Sequence, residues 1–175
     1  FVEDSSLSED FSEYINDVDE NELVISVSGN DNVNVVIENY LVTLNAEMNW
    51  YGEELLTFIV NDSQGRDIAV DDVLVIVVPV NDAPELSFIG DQETDEDIPL
   101  TVVLSAVDVD GDPLTFNAVS SSPSDVSVVV EDTLLTLTPF QNFNGSVDIH
   151  VSVSDGELSD NELFVLSVVG INDPP

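Results

Sequence analysis

The sequence consists of two copies of one unit of about 90 residues, and this repeat limits the possible folds more than any other feature. Residues 35–44 (VVIENYLVTL) match residues 128–137 (VVVEDTLLTL), and residues 49–63 match residues 142–156. Copies of this size are usually consecutive folding units, and 175 residues suffice for two small domains. The repeat therefore predicts two domains of one fold, at residues 1–83 and 84–175.

The same comparison aligns acidic residues and marks the joints between copies. The aligned acidic pairs are Glu9 with Glu96, Asp17 with Asp108, and Asp19 with Asp110. Each copy ends on the motif Asn-Asp-x-Pro, at residues 81–84 and 172–175. A motif that closes both copies is typical of a linker, so we expect this sequence to be a segment of a longer tandem array.

Apolar and polar residues alternate along most of each copy, which is the pattern of half-buried β-strands. The stripes expected to face the cores are Leu56, Phe58 and Val60 in the first copy, and Ile98, Leu100, Val102, Leu104, Val147, Ile149, Val151 and Val153 in the second. In the second copy strands are predicted near 84–90, 98–106, 113–119, 126–131, 133–138, 147–153 and 161–169. Tight hairpins are indicated at Glu38-Asn39 and Glu131-Asp132. No segment has a convincing helical period. The predicted fold class is all-β, with two tandem seven-stranded Greek-key β-sandwiches joined by a short linker.

The charge of the chain excludes several classes of partner. Asp and Glu number 37 against one basic residue, Arg66, which gives a formal net charge of −36. Nucleic-acid binding requires Lys and Arg to replace counterions on phosphates, and anionic lipid attracts basic segments. We therefore expect neither partner. No apolar run is long enough for membrane insertion, and the absence of Cys rules out disulfides and thiolate metal sites.

Sequence order in a Greek-key sandwich predicts that acidic residues from distant segments meet at the joint between the two units. The expected metal ligands are Glu9 and Glu47 from the first unit, Asn81 and Asp82 from the linker, and Asp108, Asp110, Asp112 and Asp155 from the second unit. Two carboxylates about 4 Å apart repel by about 4 kcal/mol at an effective dielectric constant near 20. Cations between them would remove this cost. Oxygen ligands without His or Cys suit Ca²⁺.

These motifs resemble cadherin repeats, and more closely the cadherin-like tandem repeats of large bacterial surface proteins. In that family an acidic residue follows the first strand, an Asp-x-Asp lies in the loop between the second and third strands, and an Asp ends the sixth strand. Glu9 and Glu96 match the first feature, Asp108 with Asp110 the second, and Asp62 and Asp155 the third. The family's Asp-Arg-Glu is replaced by Glu47-Met48-Asn49 and Phe140-Gln141-Asn142. The resemblance implies an interdomain Ca²⁺ site, an extracellular location and an adhesive or stalk-like role.

Three sequence features could indicate a specific functional site, but each has a simpler structural interpretation. The run DVDGD at 108–112 is not an EF-hand loop, because Gly111 is the fourth residue and the twelfth is Val119 rather than Glu. Trp50, Tyr51 and Phe143 are expected to plug the end of each sandwich rather than form a sugar-stacking platform. His150 stands alone on the polar face of a strand, so we expect no enzyme activity.

Three functions remain open at this point. The first is a calcium-stiffened segment of an adhesin or stalk, whose partners are adjacent repeats of the same chain. The second is a binding module for surface glycans or for another copy of itself. The third is an accessory region of a secreted polysaccharide-degrading enzyme. Few aromatic residues are expected on the outer faces beyond the corner with Trp50, which favours the structural role.

Overall fold

A computed structural model describes residues 1–18, 22–62 and 68–172, and for Ile68 the backbone alone. The chain forms two compact units, Phe1–Val80 and Asn81–Pro175. The division thus falls between Val80 and Asn81, a few residues before the predicted one after Ala83. No helix in the described ranges is both long and apolar enough to cross a membrane.

The first unit is built from two antiparallel sheets. Its strands are β1 (Ser6–Asp10), β2 (Leu23–Ser28), β3 (Val33–Glu38), β4 (Leu41–Ala46), β5 (Gly52–Asp62) and β6 (Ile68–Val77), with a 3₁₀ turn at Phe11–Glu13. One sheet has the order β1-β4-β3 and the other β2-β5-β6. Val2 adds a parallel bridge to Val78 at the edge of the second sheet. Because each sheet has one apolar face, the two pack around a single core.

The second unit repeats this plan. Its strands are β7 (Glu85–Leu86), β8 (Gln92–Asp95), β9 (Leu100–Val103), β10 (Ala106–Val107), β11 (Thr115–Ser120), β12 (Val126–Glu131), β13 (Leu134–Pro139), β14 (Gly145–Ser154) and β15 (Ser159–Val169). The sheets have the orders β11-β14-β15-β8 and β12-β13-β9, and β7 pairs with β10. Strand β8 runs parallel to β15. Joining β7 to β8 and β9 to β10 gives the seven strands of the predicted Greek-key sandwich, and the all-β prediction is confirmed.

The cores lie where the alternating pattern places them, with one exception. Val147, Ile149, Val151 and Val153 are at most 3% exposed, and Leu56 is fully buried. Ile98 is the exception, because it is 53% exposed. It lies in the turn before β9, where the pleat that would direct it inward has not begun. The two predicted hairpins are confirmed, and Asn39 and Asp132 take the positive φ that such tight turns require.

One part of the predicted repeat alignment is wrong. The backbone N–H of Asn49 donates to Asp4 Oδ1 at 3.0 Å, and that of Asn142 donates to Asp97 Oδ1 at 3.0 Å. Asp4 and Asp97 also share a positive φ. Hence Glu3 is the counterpart of Glu96. Glu9 lies within β1, whose counterpart is β9.

Candidate metal site

The linker is tied to two acidic loops of the second unit. Asn81 Nδ2 donates to Asp155 Oδ2 at 2.9 Å, in the loop after β14. The backbone N–H of Asp82 donates to Asp110 Oδ2 at 2.8 Å, in the loop after β10. Pro84 is buried and leads into β7. The structure therefore brings the predicted residues Asn81, Asp82, Asp110 and Asp155 to one end of this unit. We call this end, with Asp108 and Asp112, the acidic end.

The loop after β10 folds around the carboxylate of Asp108. Its Oδ1 accepts the backbone N–H groups of Asp110 at 3.0 Å and Asp112 at 3.2 Å. Gly111 permits this tight loop with a φ of +77°. One carboxylate oxygen from each of Asp108, Asp110 and Asp112 lies within 4.8 Å of the other two. Three negative groups at this separation repel one another unless a cation lies among them.

One carboxylate oxygen of these three residues has no hydrogen-bond donor among the described residues. Oδ2 of Asp108 is buried and accepts no hydrogen bond from the part of the chain that the structure describes. A buried carboxylate oxygen without a donor is costly, and a bound cation would remove that cost. The donor set is all oxygen, which fits Ca²⁺ and not a metal that prefers His or Cys. The residues present thus fit the calcium ion that the sequence predicts.

Asp155 is held in its ionised form. The side-chain amide of Asn81 lowers the pKa of Asp155 below its ordinary value of 3.8, and the backbone N–H groups of Glu157 and Leu158 lower it further. These two N–H groups donate to Oδ1 at 2.6 and 2.7 Å. The carboxylate therefore stays negative at neutral pH. A negative charge is what a carboxylate needs in order to bind a metal ion or to accept the hydrogen bond from the linker.

Two of the predicted ligands belong to the first unit. Glu9 lies on β1, where its Oε1 accepts the hydroxyl of Tyr14 at 3.0 Å. This bond raises the pKa of Tyr14. Glu47 is exposed in the turn after β4, where its backbone carbonyl accepts the N–H of Trp50. Asp17 and Asp62, the counterparts of Asp108 and Asp155, line one cavity of the first unit. Asp19 and Asp173 lie outside the described residues.

Sequence reasoning missed Glu3 as a functional candidate. Glu3 is 3% exposed and its Oε1 accepts the N–H of Val80 at 2.6 Å. Glu96 is 4% exposed and accepts the N–H of Ile171 at 2.7 Å. Each unit thus buries a carboxylate beside the segment that leaves it. The shared pattern Glu-Asp-x-x-Leu at 3–7 and 96–100 is the sequence signal that would have found it.

The aromatic corner is confirmed as a plug in two of its three positions. Trp50 and Phe143 pack against the cores of their units, whereas Tyr51 is 53% exposed. A Cβ on Gly52, at φ +150°, would lie 3.2 Å from the Trp50 ring, so glycine makes room for the plug. Phe88 and Tyr14 are 88% and 70% exposed. These two are exceptions to the expected lack of outer aromatics.

The comparisons with known proteins agree with this architecture. A family model described as a cadherin-like domain matches residues 80–168, just over half of the chain. A crystal structure of human protocadherin-24 EC1-2 is 18% identical with a TM-score of 0.54, and the match covers 89% of this chain and 86% of that one. Mouse protocadherin-24 EC1-3 is 16% identical with a TM-score of 0.50, covering 85% and 59%. At these identities the likeness shows the fold alone.

Enzymes also occur among the similar structures. An endo-fucoidan hydrolase of glycoside hydrolase family 107 is 21% identical with a TM-score of 0.41. The match covers 88% of this chain but 24% of the enzyme, so the chain spans about a quarter of that protein's length. No curated protein matches the sequence.

Proposed function

Because the chain belongs to the cadherin-like domain family, we propose that it is a calcium-binding repeat segment of an extracellular adhesin or stalk protein. Its role is structural, and its immediate partners are the adjacent repeats of the same chain. Domains of this family are extracellular and generally bind Ca²⁺, which makes the acidic end of the second unit the place to look for the ion.

The observation that carries the proposal is the buried Oδ2 of Asp108 beside two further carboxylates. Asp108, Asp110 and Asp112 bring oxygens within 4.8 Å of one another, and Oδ2 of Asp108 accepts no hydrogen bond from the described residues. A solvated acidic turn would place its oxygens in water or on backbone N–H groups. In this loop one oxygen is instead buried and has no donor among the described residues, and a bound cation would satisfy it.

Calcium at this position would stabilise the linker as well as the loop. Asp110 accepts the backbone N–H of Asp82, and Asp155 accepts the side chain of Asn81. Asp155 is a further carboxylate at the same end. An ion that fixes the carboxylates of Asp108 and Asp110 therefore also fixes the start of the second unit. The stiffening role follows from this link between ion and linker.

We expect Ca²⁺ to raise the thermal stability of the second unit. Sites of extracellular modules bind with a Kd of about 10⁻⁴–10⁻³ M. By mass action, 10 mM Ca²⁺ then adds roughly 1.4–2.7 kcal/mol to the free energy of unfolding for each independent site. Calorimetry in Ca²⁺ and in chelator, at matched ionic strength, measures this gain.

The variant Asp108→Asn should lose the gain, because it removes the charge of the central carboxylate. Glu131→Gln, in the hairpin between β12 and β13, removes one charge elsewhere in the same unit and should keep it. Melting curves of the wild-type protein that do not respond to Ca²⁺ would contradict the proposal. An equal response in both variants would place the ion elsewhere.

A further inference from the structure

Three peptide bonds of the chain join Asp or Asn to Gly. They are Asp110-Gly111, Asn144-Gly145 and Asp155-Gly156. At such a bond the backbone nitrogen of the glycine can attack the carbonyl carbon of the preceding side chain and close a five-membered succinimide ring. Glycine favours the ring because it has no Cβ to obstruct the attack and because its backbone rotates freely. The sequence makes all three bonds candidates for this reaction, and the fold decides which of them can react.

The bond between Asp155 and Gly156 is held on both sides. The backbone N–H of Gly156 donates to Ser154 Oγ at 3.1 Å. Oδ1 of Asp155 accepts two further backbone N–H groups, at 2.6 and 2.7 Å. Ring closure would have to break hydrogen bonds of the attacking nitrogen and of the carboxylate, and each broken bond raises the barrier. This bond is therefore protected.

The bond between Asn144 and Gly145 lies at the start of strand β14, where the sheet holds the glycine. The backbone N–H groups of a strand point alternately to its two neighbouring strands. The carbonyl of Asp148 accepts the N–H of Ser121, on the side of β11. The N–H of Gly145, three residues earlier, therefore points to β15, where Val168 lies opposite. The nitrogen of Gly145 is part of the hydrogen-bond ladder and cannot attack while the ladder is closed.

The bond between Asp110 and Gly111 is open by contrast. Gly111 is exposed, and no atom lies within 4 Å of the position that a Cβ would take. Its backbone N–H has no acceptor among the described residues. The Asp110 carboxylate has one donor among those residues, the N–H of Asp82 at 2.8 Å from Oδ2. The attacking nitrogen is thus unengaged, and a single hydrogen bond holds the group that it attacks.

We propose that Asp110-Gly111 is a site of spontaneous isomerisation that releases the linker from its loop. The nitrogen of Gly111 forms a bond to Cγ of Asp110, and the side-chain hydroxyl and the N–H proton leave as water. A second water molecule then opens the ring. Attack at Cγ restores aspartate, whereas attack at the main-chain carbonyl leaves isoaspartate, whose main chain runs through Cγ. The atoms balance without an oxidant, a reductant or an enzyme.

The product differs from aspartate in the reach of its carboxylate. Isoaspartate lengthens the main chain by one methylene group and shortens the side chain by the same group. The carboxylate that accepts the N–H of Asp82 then lies on a shorter arm, and the loop around Asp108 becomes longer. The reaction therefore removes a contact that ties the linker to the second unit. It uses only atoms of the chain and water, and it needs no metal.

The test incubates the folded chain for weeks in chelator and in water enriched in heavy oxygen. The chain is then digested with chymotrypsin in ordinary water. Each passage through the ring introduces one oxygen from the solvent, so mass spectrometry of the peptides counts the reaction at each bond. We expect the label in the peptide with Asp110, together with a chromatographically separate isoaspartate form. The peptides with Asn144 and Asp155 should remain unlabelled.

The variant Asp110→Asn gives a matched comparison, because it places a second Asn-Gly bond in the open loop of the same chain. In the folded protein we expect position 110 to lose ammonia about tenfold faster than Asn144 or more, since Asn144 must wait for the ladder to open. In denaturant the two rates should become similar. In the aged wild-type chain, hydrogen exchange of the Asp82 amide should be faster in the isomerised fraction than in the unmodified one.

Three results would overturn the proposal. One is an Asp110 peptide that takes up label in denaturant but not in the folded chain, which would show that the loop protects the bond. Another is reaction at Asn144 or Asp155 at the same rate as at Asp110, which would show that the fold does not select among the three bonds. The third is unchanged exchange of the Asp82 amide in the isomerised fraction, which would show that the linker is not released.

Discussion

At the scale of single residues, the hydrogen bond from Asn81 to Asp155 shows how one contact makes the stability of the fold depend on the charge of a carboxylate. The 2.9 Å bond from Asn81 lowers the pKa of Asp155 in the folded state. A group whose folded pKa lies below its unfolded value contributes stability above the unfolded pKa. That contribution is lost as the pH falls through the folded pKa. For Asp155 the loss occurs below pH 3.8.

We expect Asn81→Ala to raise the pKa of Asp155 towards 3.8, because the largest cause of the shift is gone. The acid dependence of the free energy of unfolding should become less steep. Titration of the carboxyl carbons by NMR in chelator measures the pKa. Asp10, whose pKa is lowered by bonds to Ser12 within the first unit, should not change and is the control. An unchanged pKa of Asp155 would contradict the role given to Asn81.

Glu54 shows the same principle in the first unit. Its carboxylate is 8% exposed and accepts the backbone N–H groups of Asp31, Asn32 and Val33. Removal of the carboxylate leaves three donors of the β2–β3 loop without their acceptor. Glu54→Ala should therefore cost about 1–3 kcal/mol of stability. Its neighbour Glu53 is exposed, and Glu53→Ala should change stability by less than about 0.5 kcal/mol in denaturant melts.

At the scale of elements, the first strand of the second unit is held by carboxylates rather than by a long ladder. Strand β7 has only two residues, and Glu162 of β15 accepts the N–H groups that follow it. Short edge strands resist unwanted pairing, but they need other anchors. The acidic side chains thus replace the hydrogen bonds that a longer strand would make.

We expect Glu162→Ala to loosen residues 84–90 without melting the sandwich. Hydrogen exchange of the Ile89 and Gly90 amides should become roughly tenfold faster or more, because their acceptor is lost. Amides in the ladder between β14 and β15 should keep their protection. Glu157→Ala, in the exposed loop between those strands, is the matched control. Equal loss of protection throughout the unit would show that Glu162 supports the whole core instead.

At the scale of the whole molecule, the net charge of −36 opposes every compact arrangement. Strand β6 ends at Val77 and strand β7 begins at Glu85, so a short segment of the chain joins the two units. A cation at the acidic end would lower the charge beside this linker and fix Asp82 through Asp110. We propose that this restricts the range of orientations between the units.

Solution scattering should then give a narrower distribution of interatomic distances in Ca²⁺ than in chelator at equal ionic strength. Asp110→Ala should remove the difference, because Asp110 holds the linker N–H. Each sandwich should stay folded, since Asp110 belongs to neither core. Identical wild-type curves in the two conditions would show that calcium does not control the linker.

The sequence by itself determined the features that depend on local pattern. Alternation with a period of two placed Val147 to Val153 in the core, because successive side chains of a strand point to opposite faces. Turn residues such as Asn39 fixed the hairpins. The repeat determined that there are two copies of one sandwich, and the acidic composition favours bound cations.

Only the tertiary structure decided which carboxylate meets which partner. Glu3 accepts the backbone N–H of Val80 after the last strand of the first unit. These two residues are 77 positions apart, so no local sequence pattern predicts the contact. Oδ2 of Asp108 is buried, and the loop that carries it also accepts the backbone N–H of Asp82 from a distant part of the chain. Tertiary packing decides which distant segments form hydrogen bonds and which side chains they bury. The alternation of apolar and polar residues along a strand cannot specify these contacts.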